Sequence, residues 1–283
     1  MSYLWMDGII GISGSLLIAG AAYWKRSLSA SGAAAAVVLG SAMYMLGSAP
    51  WFGTLIAFFI SSSLLSKWKR RRKAEAESGY AKGGRRDAGQ VLANGGLGLV
   101  LCGLAALWPH NAWWFAYLGV MATVTADTWA TEIGGLSKRM PRFILTGREV
   151  PPGTSGGITP LGLAASAAGG LFIGFVAWSL GELQGGGELL GQDTARSLPV
   201  LLGLCLAGGI CGSLADSWLG AVCQAMYRCK VCGKDIEKNR HCEAEAVRTR
   251  GFNWMTNDVV NAISSLAGGL ISALMGFLYL TVI

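Results

Sequence analysis

Asp127 and Asp216 are the residues of this 283-residue chain whose placement most demands an explanation. Each lies in an apolar run long enough to span a bilayer, around Val120–Trp129 and Leu206–Val222. An ionisable side chain in such a span costs roughly 2.5–3.5 kcal/mol and is by default a candidate functional group. The two share a neighbourhood, Ala126-Asp127-Thr128-Trp129 and Ala215-Asp216-Ser217-Trp218, which hints at an internal repeat. The alternative is structural, with neighbouring hydroxyls satisfying each carboxylate.

Further polar residues gather where apolar runs begin or end. Gln90 and Asn94 open one run a helical turn apart, so they share a face. Thr128, Thr131 and Glu132 follow Asp127; Ser217 follows Asp216; Asn257, Asp258 and Asn261 open the last run. Several carboxylates with amide oxygens suit a hard cation such as Mg²⁺, which proteins hold through one or two carboxylates together with substrate phosphates. A structural reading remains beside this one, because Asn or Asp at a helix start is also ordinary capping. Between these groups lies Pro151-Pro152-Gly153-Thr154-Ser155-Gly156-Gly157-Ile158-Thr159. Glycines let backbone N–H groups face an anion, Thr154 and Ser155 add hydroxyls, and the helix start that follows favours negative charge. Lys138, Arg139, Arg142 and Arg148 precede this loop. The Walker A pattern is absent, which excludes a P-loop kinase.

The elements that must position these residues are membrane helices. The chain is 52% hydrophobic and 14% charged, with mean hydropathy +0.46; a soluble chain carries about 25% charge. The expected fold is all-α, a polytopic helix bundle forming a single domain over residues 1–283. Eight spans are expected near Leu4–Trp24, Ala30–Ser48, Trp51–Leu65, Gln90–Trp108, Ala112–Ile133, Thr159–Leu180, Pro199–Gln224 and Asn257–Thr281. Met1–Gly20 lacks a basic segment, so the first helix is expected to remain and not be cleaved as a signal. Small-residue spacing at Gly170–Gly174, Gly208–Gly212 and Gly269–Ala273 suits close helix packing.

With eight spans, segments 25–29, 66–89, 134–158 and 225–256 share one face and hold every Lys and Arg except Arg196. The positive-inside rule then places these loops in the cytoplasm, both termini outside and the polar groups at the cytoplasmic edge of the membrane. The basic run Lys67–Lys73 is expected to meet anionic lipid headgroups, with attraction of substrate phosphate as the alternative. Nothing supports nucleic-acid binding. Cys102, Cys205, Cys211 and Cys223 fall within spans and suit apolar packing. Cys229, Cys232, His241 and Cys242 fall in the 225–256 loop as C-x-x-C-x8-H-C, a candidate structural zinc site, although adjacent His and Cys ligands fit one tetrahedron awkwardly.

The strings Ala126–Gly134, Pro151–Thr159 and Gly212–Gly220, with Gln90–Gly96, the Cys/His loop and Asn257–Asn261, resemble the transmembrane protein 19 family, to which plastid phytyl-phosphate kinases belong. The resemblance runs from about Arg86 to the end, and the first 70 residues add little. More distantly, the D-T-x-A-x-x-x-G string with the following loop is similar to dolichol and phytol kinases, which use CTP. The resemblance implies a membrane kinase that passes a phosphoryl group from a nucleoside triphosphate, CTP by this comparison, to an isoprenoid monophosphate. Under that expectation Asp127 and Asp216, with Asp258, hold Mg²⁺, and Glu132 ligates it or supports a ligand. Thr154, Ser155, Gly156 and Gly157 cradle phosphate, and Lys138 and Arg148 neutralise it. Asn94, Asn257 and Asn261 position headgroup oxygens. The rival readings are a CDP-lipid-type nucleotidyltransferase, which needs the same metal and acceptor, and a lipid or ion transporter.

Overall fold

The computed structural model describes residues 2–69, 78–184 and 197–282, so part of the Lys67–Lys73 run, and Arg196 with Glu188 and Asp193, lie outside the described residues. Seven helices are found among those residues: α1 (Ser2–Trp24), α2 (Ala30–Lys67), α3 (Ala88–Leu107), α4 (Asn111–Gly134), α5 (Pro160–Leu183), α6 (Leu198–Val222) and α7 (Asn257–Val282). Side chains that satisfy the first free N–H groups fix several starts. Ser29 Oγ accepts from Gly32 N–H at 3.1 Å, and Thr159 Oγ1 accepts from Gly162 N–H at 3.0 Å with Pro160 opening α5. Asp87 and Gln90 form a reciprocal capping box at the start of α3.

The second and third expected spans are the two arms of α2. As a straight rod its 38 residues would reach about 57 Å, nearly twice a bilayer core. Ser48 instead takes φ 66° and ψ −168°, and Pro50 follows, so the helix folds back on itself. Tyr44 and Phe52 meet edge to face with centroids 5.6 Å apart, and Lys67 at the far end reaches Lys25 O at 2.7 Å. Eight apolar arms therefore arise from seven helices. Six of the helices are long and apolar enough to cross a membrane by length and composition. The exception is α4, which carries Asp127. It is the centre of the bundle, buried continuously from Trp114 to Ala126, so its hydroxyls and carboxylates can be tolerated without meeting lipid.

Four helices, α4 to α7, pack mutually through small residues. A methyl on Gly208 would lie 3.2 Å from Gly119 Cα, and one on Gly212 would collide with Thr123. Thr123 Oγ1 donates to both Gly119 O (2.8 Å) and Gly208 O (3.0 Å), tying α4 to α6. Gly170 and Gly174 of α5 seat on Cys205 O and Leu201 O of α6, and Gly269 of α7 seats on Ala116 O of α4. All three small-residue motifs of the sequence are thus helix contacts.

The loops at residues 25–29, 68–69 with 78–87, 135–159 and 223–256 meet at one end. Arg86 N–H donates to Ser27 O and its side chain reaches Ser63; Lys82 reaches Asp258; Arg250 reaches Ser155 O. The otherwise helical chain makes its few strands here. The short strands β1 (Arg142–Phe143) and β2 (Gly157–Ile158) pair antiparallel. In the 225–256 loop, β3 (Met226–Arg228) is flanked by β4 (Asp235–Ile236) and β7 (Val247–Arg250), while β5 (Arg240–His241) pairs with β6 (Ala244–Glu245).

Candidate functional site

The two aspartates are brought together by the register of α4 against α6. Gly119 faces Gly208 and Thr123 faces Gly212. These pairs have the same separation in the chain as Asp127 and Asp216, so α4 and α6 run parallel and a further turn of each juxtaposes the two carboxylates. The repeated A-D-[ST]-W strings are therefore equivalent positions on two packed helices.

Helix α7 runs antiparallel to both and closes the third side. Ser272 lies at the Gly119/Gly208 level and Gly268 at Thr123, which places Ser264 at the aspartates. Ser264 Oγ donates to Asp216 Oδ2 at 3.0 Å. With its amide oriented to satisfy its neighbours, Asn261 Nδ2 donates to the same oxygen at 3.0 Å and to Asn257 O at 3.2 Å. No hydrogen bond reaches the Asp127 carboxylate among the described residues.

Toward the loops lies a second acidic group that motif spacing did not reveal. Lys82 Nζ bridges Asp87 Oδ1 (3.0 Å) and Asp258 Oδ2 (2.5 Å). Asp258 Oδ1 is buried and without a hydrogen-bond partner. Glu237, between β4 and β5, accepts from Ala81 N–H at 3.1 Å and lies within electrostatic reach of both Asp216 and Asp258. Burial raises the Glu237 carboxyl above its usual range, with Asp258 adding to the rise and the Ala81 N–H and the neighbouring Gln224 opposing it. Burial also acts on Asp87, but the Gln90 N–H and the Lys82 ammonium outweigh it and hold Asp87 below its ordinary value. Asp87 carries the D-x-x-Q capping spacing with Gln90, but Lys82 and Glu237 carry none, because they come from loops that meet only in three dimensions.

The Pro151–Thr159 loop docks on the end of α6, one turn beyond Asp216. Gly156 has φ +85°, and a methyl there would stand 2.6 Å from Ala221 Cβ, so glycine is required twice over. Ser155 Oγ donates to Gln224 Oε1 at 2.9 Å, and Arg250 holds Ser155 O and Ala221 O. The buried Gln224 Nε2 stands near enough to Glu237 to favour its carboxylate, without reaching full hydrogen-bond geometry. The loop is more self-satisfied than an open anion cradle: Gly157 N–H donates to Thr154 O at 2.9 Å, Thr154 N–H to Pro151 O at 3.2 Å, and Thr154 Oγ1 to Pro151 O at 2.7 Å. Of the four residues expected to hold phosphate, Ser155 and Gly156 sit against α6, while Thr154 and Gly157 close the turn.

Four expected site residues lie elsewhere. Glu132 accepts from Ser66 Oγ at 2.5 Å and faces the buried Arg86, away from the Asp127–Asp216 pair. Lys138 and Arg148 are exposed on the loop. Asn94 donates to Gln90 O and lines a partly open cavity between α1, both arms of α2 and α3. Leu39, Phe52 and Leu55 stand in its mostly apolar wall with the Ser15 hydroxyl, and Arg86, Gln90 and Asn94 form its polar end. Burial pushes the Arg86 guanidinium below its usual pKa, partly countered by the charge of Glu132.

Cys229, Cys232, His241 and Cys242 do assemble: one ligand atom from each lies within 4.8 Å of all the others. The remaining cysteines are also free thiols, Cys102 and Cys205 buried among helices as packing residues.

Known proteins with this sequence pattern share most of its length. Protein PGR of Arabidopsis thaliana is 30% identical over 92% of this chain and 93% of its own. An uncharacterized membrane protein of Methanocaldococcus jannaschii is 29% identical over 89% and 87%. Protein VTE6, chloroplastic, of Arabidopsis thaliana is 25% identical over 92% of this chain and 68% of its own. No solved structure matches. The model of one family, described as integral membrane protein DUF92, matches residues 13–269 and so takes in the N-terminal helices as well as the motifs after Arg86. A helix bundle whose family match runs from α1 into α7 across both aspartate strings identifies the chain as a member of the integral membrane protein DUF92 family.

Proposed function

We propose that this protein is a membrane-bound kinase that acts on an isoprenoid monophosphate, with a nucleoside triphosphate, CTP by the resemblance, as donor. The observation that carries the reading is the juxtaposition of Asp127 and Asp216 at the end of the bundle where the basic loops gather. The orientation rule puts that end in the cytoplasm, where nucleotide is available. The resemblance to phytyl-phosphate kinases supports the same class.

The residues fit a divalent cation of the Mg²⁺ type. Among the described residues the Asp127 carboxylate accepts no hydrogen bond and the buried Asp258 Oδ1 has no partner, while Ser264 and Asn261 hold one oxygen of Asp216. Asp127 and Asp216, with Asp258, would hold the ion, which when bound neutralises and aligns the donor phosphates. In the reaction an oxygen of the acceptor monophosphate forms a bond to the γ-phosphorus. The bond from that phosphorus to the β,γ-bridging oxygen breaks, and the nucleoside diphosphate leaves with the electron pair. The acceptor is already anionic, so no strong general base is needed. Lys82 and Arg250 offset negative charge near the carboxylates and the Ser155 loop; Lys138 and Arg148 do so at longer range. The prenyl chain lies in the α1–α2–α3 cavity, with Arg86, Gln90 and Asn94 at its polar end.

The test is turnover by purified protein in detergent with geranylgeranyl, phytyl or farnesyl monophosphate, CTP or ATP, and Mg²⁺, read by mass spectrometry. A prenyl diphosphate that disappears with EDTA is expected. A nucleotidyl lipid with pyrophosphate would replace this reading by nucleotidyl transfer, and no product from folded protein would favour transport. Asp127→Asn and Asp216→Asn should each lower kcat by about 10²-fold or more, as loss of a positioned electrostatic group does, and leave thermal unfolding nearly unchanged.

A further inference from the structure

The cytoplasmic-end loop contains a second site, chemically separate from the acidic one. Cys229 and Cys232 lie on a tight turn in which Gly233 N–H donates to Cys229 O at 3.0 Å and Cys229 N–H to Lys234 O at 2.9 Å. Gly233 takes φ +72°, which lets the chain reverse between the two thiols and β4. His241 and Cys242 come from the β5–β6 hairpin. His241 Nδ1 stands 3.4 Å from Cys232 Sγ and 3.2 Å from Cys242 Sγ. With zinc–sulfur bonds of about 2.3 Å and zinc–nitrogen bonds of about 2.0–2.1 Å, the edge of a tetrahedron from sulfur to nitrogen is about 3.5 Å. The observed separations are close to that edge.

The adjacency of His241 and Cys242, awkward on paper, is resolved by the backbone. Cys242 (φ 49°) and Glu243 (φ 59°) both occupy the left-handed region. They are the two central residues of a two-residue hairpin turn, where Asn and Gly are the usual occupants. A β-carbon at each position is disfavoured, and strain of this sort persists only where something else fixes the turn. The turn carries the Cys242 thiol back to the side of the His241 ring, which an extended chain would point the other way.

We propose that Cys229, Cys232, His241 Nδ1 and Cys242 bind one zinc ion, and that this ion fastens the loop that presents Glu237 to the acidic site. The closed segment from Cys229 to Cys242 contains β4, whose Ile236 is fully buried, and then Glu237. Glu237 N–H donates to Gly79 O at 2.9 Å and its carboxylate accepts Ala81 N–H, while Lys234 Nζ reaches Ser78 Oγ at 2.6 Å. The metal loop thus grips the 78–82 strand of chain that carries Lys82, the residue bridging Asp87 and Asp258. Removing zinc frees both Glu237 and Lys82 at once. A fourfold thiol and imidazole set favours zinc over the oxygen-preferring ions that suit the aspartates.

The deciding experiment is metal analysis of the full-length protein purified without chelator. Zinc at a stoichiometry near one per chain is expected, falling at least fivefold in Cys232→Ser and Cys242→Ser. Cys211→Ser, a lipid-facing thiol of α6, should keep it, and His241→Cys should retain zinc as an all-thiolate site. Exchange with Co²⁺ should give the thiolate charge-transfer and tetrahedral d–d bands, absent from Cys232→Ser. Hydrogen exchange of residues 78–82 should quicken by tenfold or more when the ion is stripped. Iron in place of zinc, zinc content unchanged in Cys232→Ser, or a Cys229–Cys232 disulfide in the freshly purified protein would each overturn the proposal. None of these readouts depends on the kinase activity.

Discussion

Asp216 shows how much a single carboxylate in this bundle depends on its donors. Ser264 and Asn261 both direct hydrogen bonds to Oδ2, so one oxygen of the carboxylate is fixed by two donors from α7. Ser264→Ala removes one of two donors to this oxygen and is expected to lower turnover by about tenfold, near the lower end of the roughly 1.5–3 kcal/mol attached to hydrogen bonds on charged groups, because Asn261 still donates. Steady-state kinetics against the Asp216→Asn protein would measure it: a loss as large as that of Asp216→Asn would mean Ser264 does more than orient. Lys82 supplies a second test at this scale. Lys82→Ala leaves Asp87 and Asp258 facing one another without a cation, so nucleotide KM should rise while lipid KM changes little. Equal changes in both would place Lys82 outside the donor side of the site.

Among the elements, α3 is set by its first turn. The Asp87–Gln90 capping box both starts the helix and orients the carboxylate that Lys82 holds. Asp87→Ala should cost about 1 kcal/mol, the usual value of an N-cap, seen as a lower unfolding midpoint in detergent. Because Asp87 is held below its ordinary pKa, its contribution is fully present above its unfolded value of about 3.9 and is lost as pH falls through the lower folded value. The wild-type and Asp87→Ala midpoints should therefore converge only in strong acid; convergence already at pH 6 would contradict the assignment. The α4–α6 contact is set by absent side chains. Gly212→Val drives two methyl groups into Thr123 and should cost about 1–3 kcal/mol, as overpacking does, while also separating the aspartates. Activity should fall further than stability, and full activity in a folded Gly212→Val protein would argue against convergence of the two carboxylates by this register. In α1–α3, Ala36→Phe fills the cavity and should raise KM for the prenyl substrate several-fold without changing nucleotide KM.

For the whole molecule, the gathering of four loops at one end makes orientation a single question. A protease site inserted after Gly147 should be cut in inverted membrane vesicles and protected in right-side-out ones. The reverse would put the acidic site outside and remove a cytoplasmic nucleotide as donor. The same gathering brings the Lys and Arg of the described loops to the end of the bundle that holds the carboxylates, together with the metal-type cluster of Cys229, Cys232, His241 and Cys242.

Composition and hydropathy alone determined that this chain is a helical membrane protein, because a lipid interior leaves a backbone little choice but the helix. The eight apolar arms were legible from run length, and Asp127 and Asp216 from the cost of placing charge within them. Family motifs marked the Ser155–Gly156 loop. Run length also divided the second and third arms between Ser48 and Trp51, and tertiary structure supplied the backbone form of that reversal, φ 66° at Ser48 with Pro50 following. It alone set the parallel register that pairs Asp127 with Asp216, which depends on Gly208, Gly212 and Thr123 meeting across two helices. It also brought in Lys82, Asp87, Glu237 and Ser264, and moved Glu132 and Asn94 toward Arg86. Local spacing reports which residues share one helix face; which faces meet is fixed by packing between segments far apart in the chain.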